Sequence, residues 1–488
     1  MTIRELLGGM EIIAASPPGI LDSEIAGVAY HSKQAAPGFL FFAFSGAEAD
    51  GRRFADDAVA RGAVAVVYEQ LPAEPPPHAY IAVAHGRRAL ARVARNFFGK
   101  PDEVVAVTAF TGTNGKSTGT MVADGVLRHT GRRTSLINTI GYHMCCEPRP
   151  AVNTTPESLD VYRMLAETRD AGGTYLTMEI SSHALALGRV EDLRVAVAVF
   201  TNLTRDHLDF HGSMEDYFAS KARLFGKDFR PGAAVLNADD EWTSRLRIAN
   251  GTWPITYGIR SEAMLRAVNI DSGFFGLRFE IDGLARVQSK LIGEINVYNI
   301  LAAAGACHAL GLTWDEIAAG VEAFAGVPGR FERVDAGQDF LVVVDYAHTD
   351  AAISSVISAA RGLLRGAGRV ITLFGCGGDR DRAKRPLMGM AAAKDSDFVV
   401  LTSDNPRSED PLAILNDALV GVRRFDTPLH VEVDREKAIF AAIAEARAGD
   451  IVLLTGKGHE DYQVLADRTI SFDDREVARR ALEARRAS

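Results

Sequence analysis

Long hydrophobic runs are missing from this 488-residue chain: none reaches the roughly 18 residues that a membrane-spanning helix needs. No membrane insertion is expected. The opening stretch Met1-Thr2-Ile3-Arg4-Glu5-Leu6-Leu7-Gly8-Gly9 has neither the charged n-region nor the apolar h-region of a secretory signal, which predicts a cytoplasmic protein. Long basic runs are missing too. Lysine and arginine number 54 against 63 aspartates and glutamates, for a net charge of −9, so nothing matches a phosphate backbone and no nucleic acid is expected as a partner. Cysteine is scarce. Cys145, Cys146, Cys307 and Cys376 contain no C-x-x-C pair, the adjacent Cys145 and Cys146 cannot easily bridge to each other, and reduced thiols are expected. No repeat recurs at a solenoid period.

What is present begins with Val104-Val105-Ala106-Val107-Thr108-Ala109-Phe110, an apolar strand that runs into Thr111-Gly112-Thr113-Asn114-Gly115-Lys116-Ser117-Thr118. Glycines let backbone N–H groups turn inward around phosphate oxygens, Lys116 supplies a point charge, and the Ser117 hydroxyl suits a magnesium ion on a nucleotide. This predicts ATP binding. The usual spacing of such loops asks for glycine where Phe110 stands, so GTNGKST is a shortened variant. The competing reading is a glycine-rich turn without ligand, against which strand, loop and a helix start at Ser117 all agree.

The chain exceeds the about 250–300 residues of a single core, so two to four domains are expected. Residues 1 to about 100 carry short strands and helices, with Leu71-Pro72-Ala73-Glu74-Pro75-Pro76-Pro77 as a surface loop and Gly99-Lys100-Pro101 as a boundary. The middle third alternates strand runs (104–110, 174–180, 195–201) with helical stretches, the pattern of a parallel sheet covered on both faces, and ends near Gly326-Val327-Pro328-Gly329-Arg330. A second alternating series follows. Strands at 340–344, 369–374, 398–402 and 451–455, separated by Ala-rich helices such as 351–364 and 435–448, read as another doubly wound domain. Ligands of such sheets sit at the carboxyl ends of the strands, where Gly-, Asp-, Asn- and His-rich segments stand here.

In the middle third those segments are Asn153-Thr154-Thr155-Pro156, Met178-Glu179-Ile180-Ser181-Ser182-His183, Asn202-Leu203-Thr204-Arg205-Asp206-His207-Leu208-Asp209, and Lys221. Glu179 follows a hydrophobic strand, as metal-holding carboxylates do in nucleotide-hydrolysing sheets. His207 follows another, but magnesium prefers oxygen, so from the pattern alone it is equally a hydrogen-bonded loop histidine. Lys221 alone reads as a solvated helical lysine. Arg330 sits where a hinge could deliver a guanidinium to developing phosphate charge, or is a surface arginine at a turn. Asp345-Tyr346-Ala347-His348 could hold a ribose or an adenine face; alternatively Asp or Thr there caps a helix beginning near Asp350. Arg380, Asn405, Arg407 and Glu460, in three later strand-end segments, suit a zwitterion, with a polar rim around glycine turns as the alternative.

Taken in order, GTNGKST, NTTPE, MEISSHAL, TNLTRDHLDFHG with KARLF, NVYNILAA, VPGRFERV, DYAH, GCGGDRDRAKRPLMG, DNPRSEDP and TGKGHEDYQ resemble the Mur ligases over essentially the whole chain. The resemblance implies an α/β fold of three domains: a small N-terminal α/β domain (1–100) for the UDP substrate, a central P-loop-type doubly wound parallel sheet (101–330) for ATP, and a C-terminal Rossmann-like α/β domain (331–488) for the amino acid. It implies an ATP-dependent ligase that passes through an acyl phosphate, with the third domain closing over the site first. Lys116, Lys221, His207 and Arg330 would be catalytic. Gly112, Thr113, Asn114, Gly115, Lys116, Ser117, Thr118, Asn299, Arg330, Asp345 and His348 would bind ATP. Ser117, Glu179, His207 and Lys221, the last as a CO2-derived lysine carbamate, would surround Mg2+. Ser32, Asn153, Thr154, Thr155, Ser181 and Arg189 would bind UDP-N-acetylmuramoyl-L-alanyl-D-glutamate. Arg380, Asp404, Asn405, Pro406, Arg407, Gly456 and Glu460 would read meso-diaminopimelate, which DNPR accompanies in this family. A monomer is expected.

Two departures stand out: His31-Ser32-Lys33 where the family commonly has Asp-Ser-Arg, and Asp350 where proline is usual. The first bears on uridine contacts and the second on a turn. A folylpolyglutamate-type ligase would share the loop and the acyl-phosphate chemistry but gives no reason for DNPR, and an ATP-gated binding protein would need only the cradle.

Overall fold

The computed structural model describes residues 1–44, 50–145, 147–364 and 368–487. Cys146, expected as a thiol, lies outside them. The chain is mixed α/β with parallel-rich sheets, as the alternation of apolar runs predicts, and it forms two compact units: Met1–Arg266 with Tyr298–Gly320, and Ala267–Val297 with Val321–Ser488.

The first unit opens with a five-stranded sheet in the order Ile12–Ser16, Tyr80–Val83, Ala65–Tyr68, Phe39–Ala43, Gly27–Ala29, parallel except for the first edge. Its larger sheet runs Trp253–Gly258, Ala233–Asn237, Val197–Phe200, Ala106–Thr111, Tyr175–Glu179, Thr134–Ile137, all parallel, and ends in two short antiparallel strands, Tyr142–Met144 and Glu147–Arg149. Ala106–Thr111 lies centrally. The chain leaves it toward Thr134–Ile137, returns between the two as Tyr175–Glu179, and then crosses to the opposite side as Val197–Phe200, so the carboxyl end of Ala106–Thr111 faces the point where strand order reverses. Val107, Ala109, Leu176, Met178 and Ala198 of these strands are fully buried in one apolar cluster.

In the second unit the order is Glu332–Val334, Leu341–Asp345, Ile451–Thr455, Val370–Cys376, Phe398–Ser403, Leu429–Val431, parallel apart from the first edge strand. Helix Asp350–Leu363 buries Ile353, Ile357, Ala360 and Leu363, the stripe that helical periodicity puts on one face, against this sheet. Thr349 caps it by accepting from Ala352 N, and Asp350 occupies the first turn, where a carboxylate is as favourable as the usual proline. The departure at 350 therefore leaves the helix start intact.

Candidate active site

The glycine loop takes its shape from groups that leave no room for side chains. Gly112 (φ 148) and Gly115 (φ 84) have positive φ, and a Cβ on them would collide with Thr201 Oγ1 and Asn299 Oδ1 respectively. Asn299, expected at the nucleotide site, therefore lies against the loop. Asn114 N donates to Asn202 Oδ1 at 2.9 Å, Thr201 Oγ1 donates to Asn114 O at 2.6 Å, and Thr113 Oγ1 is 3.1 Å from Tyr217 OH. Helix Lys116–His129 begins one residue before the expected start because left-handed Gly115 serves as its N-cap residue. Ser117 and Thr118 are buried in its first turn, where N–H groups lack intrahelical partners and favour an anion. The Phe110 departure is accommodated by the helix. A Cβ at Gly119 would sit 2.7 Å from the Phe110 ring, so the absent side chain there makes space for the phenyl group.

Lys116 Nζ donates to Gly112 O at 3.0 Å and to Thr113 O at 2.8 Å. Lys221 Nζ, on helix Met214–Ala222 and fully enclosed, donates to the same Gly112 O at 2.8 Å and lies over the Tyr217 ring. It is not the solvated lysine that a helical position alone suggests. Burial, and then the Lys116 charge, hold its pKa well below the ordinary 10.5, against smaller opposing effects of Asp206 and Glu179. Glu179, buried at the end of its strand, accepts from Thr139 N at 3.0 Å and Thr139 Oγ1 at 3.2 Å. His207 adopts a left-handed backbone (φ 52) beside Asp206, and its pKa is lowered by burial and by the Lys116 and Lys221 charges. Thus Lys116, Glu179, His207 and Lys221, separated by up to about a hundred residues in sequence, feel one another in the fold. Among the described residues no cluster of three or more His, Cys, Asp or Glu is arranged to hold a metal.

The residues expected at the dipeptide adjoin Glu179. Thr154 Oγ1 is 3.0 Å from Thr139 Oγ1, buried Thr155 donates to Glu179 O at 2.9 Å, and Ser181 N donates back to Thr155 Oγ1 at 3.0 Å. Arg189 Nη1 donates to Thr155 O at 3.3 Å and pairs with Glu157, which Arg87 also approaches. Asn153 is exposed; its carbonyl accepts from Tyr142 OH. Ser32 is buried at the start of a short turn, and its hydroxyl and the Lys33 charge help hold the Asp57 carboxyl below its usual range.

In the second unit, Asp345 accepts from Phe331 N at 2.7 Å and from Ala347 N at 2.9 Å; the helix cap is Thr349 instead. Burial raises the Asp345 pKa and the Arg330 charge opposes this. Arg330 stacks over Tyr346, 5.0 Å from the ring centre, and exposed His348 bonds Tyr346 O through Nδ1. Gly456 (φ 113) has no room for a Cβ, which would be 2.6 Å from Asp404 Oδ2. Gly378 lies so close to Pro406 O that a Cβ would collide with it. Arg407 Nη1 donates to Gly378 O at 2.8 Å, and Asn405 Nδ2 donates to Glu460 Oε2 at 3.0 Å. Arg380 stands exposed. Thr139, which holds both Glu179 oxygens, and Lys457, which ties Asn405 to Glu460, were not singled out by the sequence; a polar residue after a strand and a lysine within GKGHE carry no spacing signal of their own.

Cys145, Cys307 and Cys376 are free, and burial pushes the thiols of Cys307 and Cys376 up to about 12, which keeps them protonated.

The chain matches three family descriptions: "Mur ligase family, catalytic domain" at residues 24–98, "Mur ligase middle domain" at 110–307, and "Mur ligase, glutamate ligase domain" at 329–458. It is 57% identical, over 99% of its length and 98% of the relative, to a UDP-N-acetylmuramoyl-L-alanyl-D-glutamate--2,6-diaminopimelate ligase of Solibacter usitatus. A protein of the same name from Geobacillus thermodenitrificans is 44% identical over 99% of both chains. A solved structure of a ligase of that name superposes with a TM-score of 0.74 at 32% identity and covers 100% of both chains.

Proposed function

This chain belongs to the Mur ligase family, and from that premise we propose that it is the ATP-dependent ligase that joins meso-diaminopimelate to the D-glutamate of UDP-N-acetylmuramoyl-L-alanyl-D-glutamate, in cytoplasmic peptidoglycan synthesis. The observation that carries the reading is the 57% identity, over nearly the full length of both chains, with a relative whose name states both substrates. Segments 1–100, 101–330 and 331–488 serve the UDP moiety, ATP and the amino acid in turn.

A carboxylate is a poor electrophile. Transfer of the γ-phosphoryl group of ATP to the D-glutamate carboxylate makes an acyl phosphate and ADP; the diaminopimelate amine then attacks the carbonyl carbon, loses a proton, and expels phosphate as the amide forms. The loop N–H groups and the Lys116 ammonium stabilise charge on the transferring phosphoryl group. Magnesium, when bound, adds positive charge on the phosphate oxygens. The donor set suits it: the Ser117 hydroxyl makes no hydrogen bond among the described residues, and the Glu179 oxygens, each bonded by Thr139, keep lone pairs. His207 adds an imidazole. An ammonium at Lys221 does not suit a cation, but a carbamate does, and it forms when a neutral amine attacks CO2 and releases a proton. The burial that lowers the Lys221 pKa supports this, because it supplies the neutral amine.

Phosphate release from ATP, measured with each substrate omitted in turn, tests the proposal. Release is expected only with the UDP-muramoyl dipeptide and meso-diaminopimelate together. Equal release from ATP alone would point to an ATP-gated binding protein, and stimulation by glutamate would point to a folylpolyglutamate-type ligase.

A further inference from the structure

Lys457 follows Gly456 at the end of strand Ile451–Thr455 and is fully enclosed, with no exposed surface. A buried ammonium is retained where charged and polar partners compensate its lost hydration. Lys457 Nζ donates to Glu460 Oε2 at 2.9 Å and to Asn405 Oδ1 at 3.2 Å, and lies 3.9 Å from Asp404 Oδ1. Asn405 Oδ1 also accepts from Val464 N at 2.9 Å, while Asn405 Nδ2 donates to Glu460 Oε2 at 3.0 Å. Two donors therefore converge on one carboxylate oxygen. Glu460 Oε1 has no hydrogen-bond partner among the described residues, and the side chain keeps 15% of its surface exposed.

Charge around the segment follows the same division. Arg435 is matched by Asp474 in a fully buried pair at 2.6 Å. Asp404 and Glu460 both face the ammonium of Lys457, Asp404 at 3.9 Å and buried, which raises its pKa, and Glu460 at 2.9 Å with one oxygen left free. Arg407 bonds only backbone carbonyls, Gly378 O and Asn405 O, and forms no ion pair among the described residues. The free Glu460 oxygen and the Arg407 guanidinium match the ammonium and carboxylate of an amino-acid head group.

We infer that Lys457 is a positioning residue for amino-acid selection: by fixing Glu460 Oε2 and the Asn405 amide, it aims Glu460 Oε1 at the substrate ammonium. The inference rests on the reading that Asn405, Arg407 and Glu460 bind the diaminopimelate. A side chain that merely filled the core would not need to tie the Asp404–Arg407 and Gly456–Glu460 segments together through their ligand-facing groups.

The test is the Lys457→Met variant of the full-length enzyme, assayed with ATP, UDP-muramoyl dipeptide, and either meso-diaminopimelate or L-lysine. The KM for diaminopimelate is expected to rise roughly 10- to 150-fold, the scale of one charge-assisted hydrogen bond, with the KM of the other two substrates unmoved. Use of lysine should fall by a similar factor, since both amino acids carry the distal ammonium, whereas Arg407→Ala should penalise diaminopimelate selectively. An unchanged diaminopimelate KM, or a parallel rise in all three KM values with a lowered Tm, overturns the inference. Should the single variant not fold, Lys457→Met with Glu460→Gln removes both charges; because Lys457 acts through Glu460, the double variant should lose no more affinity for diaminopimelate than Glu460→Gln alone, and additive losses contradict the proposal. A wild-type enzyme that does not use diaminopimelate overturns the functional reading itself, before any variant is compared.

Discussion

Two lysines share one carbonyl oxygen at Gly112, and their environments differ. Lys116 belongs to the loop and, on the proposed reading, would set its ammonium against the phosphates, so Lys116→Ala is expected to lower ligation by a factor of at least about a thousand in steady-state assays. Near-normal turnover would remove it from the chemistry. Lys221 is enclosed and its amine is driven toward neutrality, so, if the proposed carbamate forms there, Lys221→Ala should be inactive and partly rescued by short carboxylic acids, which would replace the carboxylate of that carbamate and not the amine. A second consequence concerns stability. An amine whose folded-state pKa lies below its ordinary 10.5 binds fewer protons folded than unfolded, so stability rises with pH up to that value and is lost as pH falls toward the folded pKa. In CO2-free buffer, Lys221→Met should therefore be more stable than wild type at neutral pH, with the gap closing toward pH 10.5; denaturation midpoints across that range decide it. The glycines and Lys116 were legible because their spacing is itself the chemistry. The burial of Lys221 was not, since a lysine on a helix looks solvated until Tyr217 and Gly112 are placed around it.

Strand runs translated directly into elements because parallel strands covered on both faces must be apolar throughout: 451–455 became Ile451–Thr455 unchanged, and 104–110 shifted to Ala106–Thr111. Helix ends were less legible. The stretch 435–448 stops being helical at Glu445, because Asp450 accepts from both Arg447 N and Arg369 N and draws the chain into a turn, a partner that helix propensity does not register. The loops after the strands depend on glycines whose necessity is local geometry. Gly456→Ala forces a side chain into a positive-φ position 2.6 Å from Asp404 Oδ2, and should raise the KM for diaminopimelate while leaving that for ATP unchanged. Equal changes in both constants would show instead that the substitution disturbs the whole sheet.

Across the molecule, composition reported chain turns more faithfully than packing. Gly99-Lys100-Pro101 does break the chain, with Gly99 and Lys100 both at positive φ, yet residues on either side, such as Leu90 and Val105, join one apolar cluster within one compact unit. Contact across such a turn depends on which faces are apolar in three dimensions, and a linear reading does not see it. The segments proposed to read the amino acid are different: DNPR and GKGHE are visible as motifs, and the fold sets Asn405 against Glu460 although 55 residues separate them. Selection of the amino acid is therefore where function is most exposed to measurement. Specificity constants for meso-diaminopimelate and L-lysine, determined side by side with saturating ATP and UDP-muramoyl dipeptide, should differ by about a hundredfold or more in favour of diaminopimelate, because lysine lacks the carboxylate that Arg407 would pair and leaves that half-buried guanidinium unmatched. Equal constants for the two amino acids, or a preference for lysine, would contradict the assignment of this chain as a diaminopimelate-adding ligase.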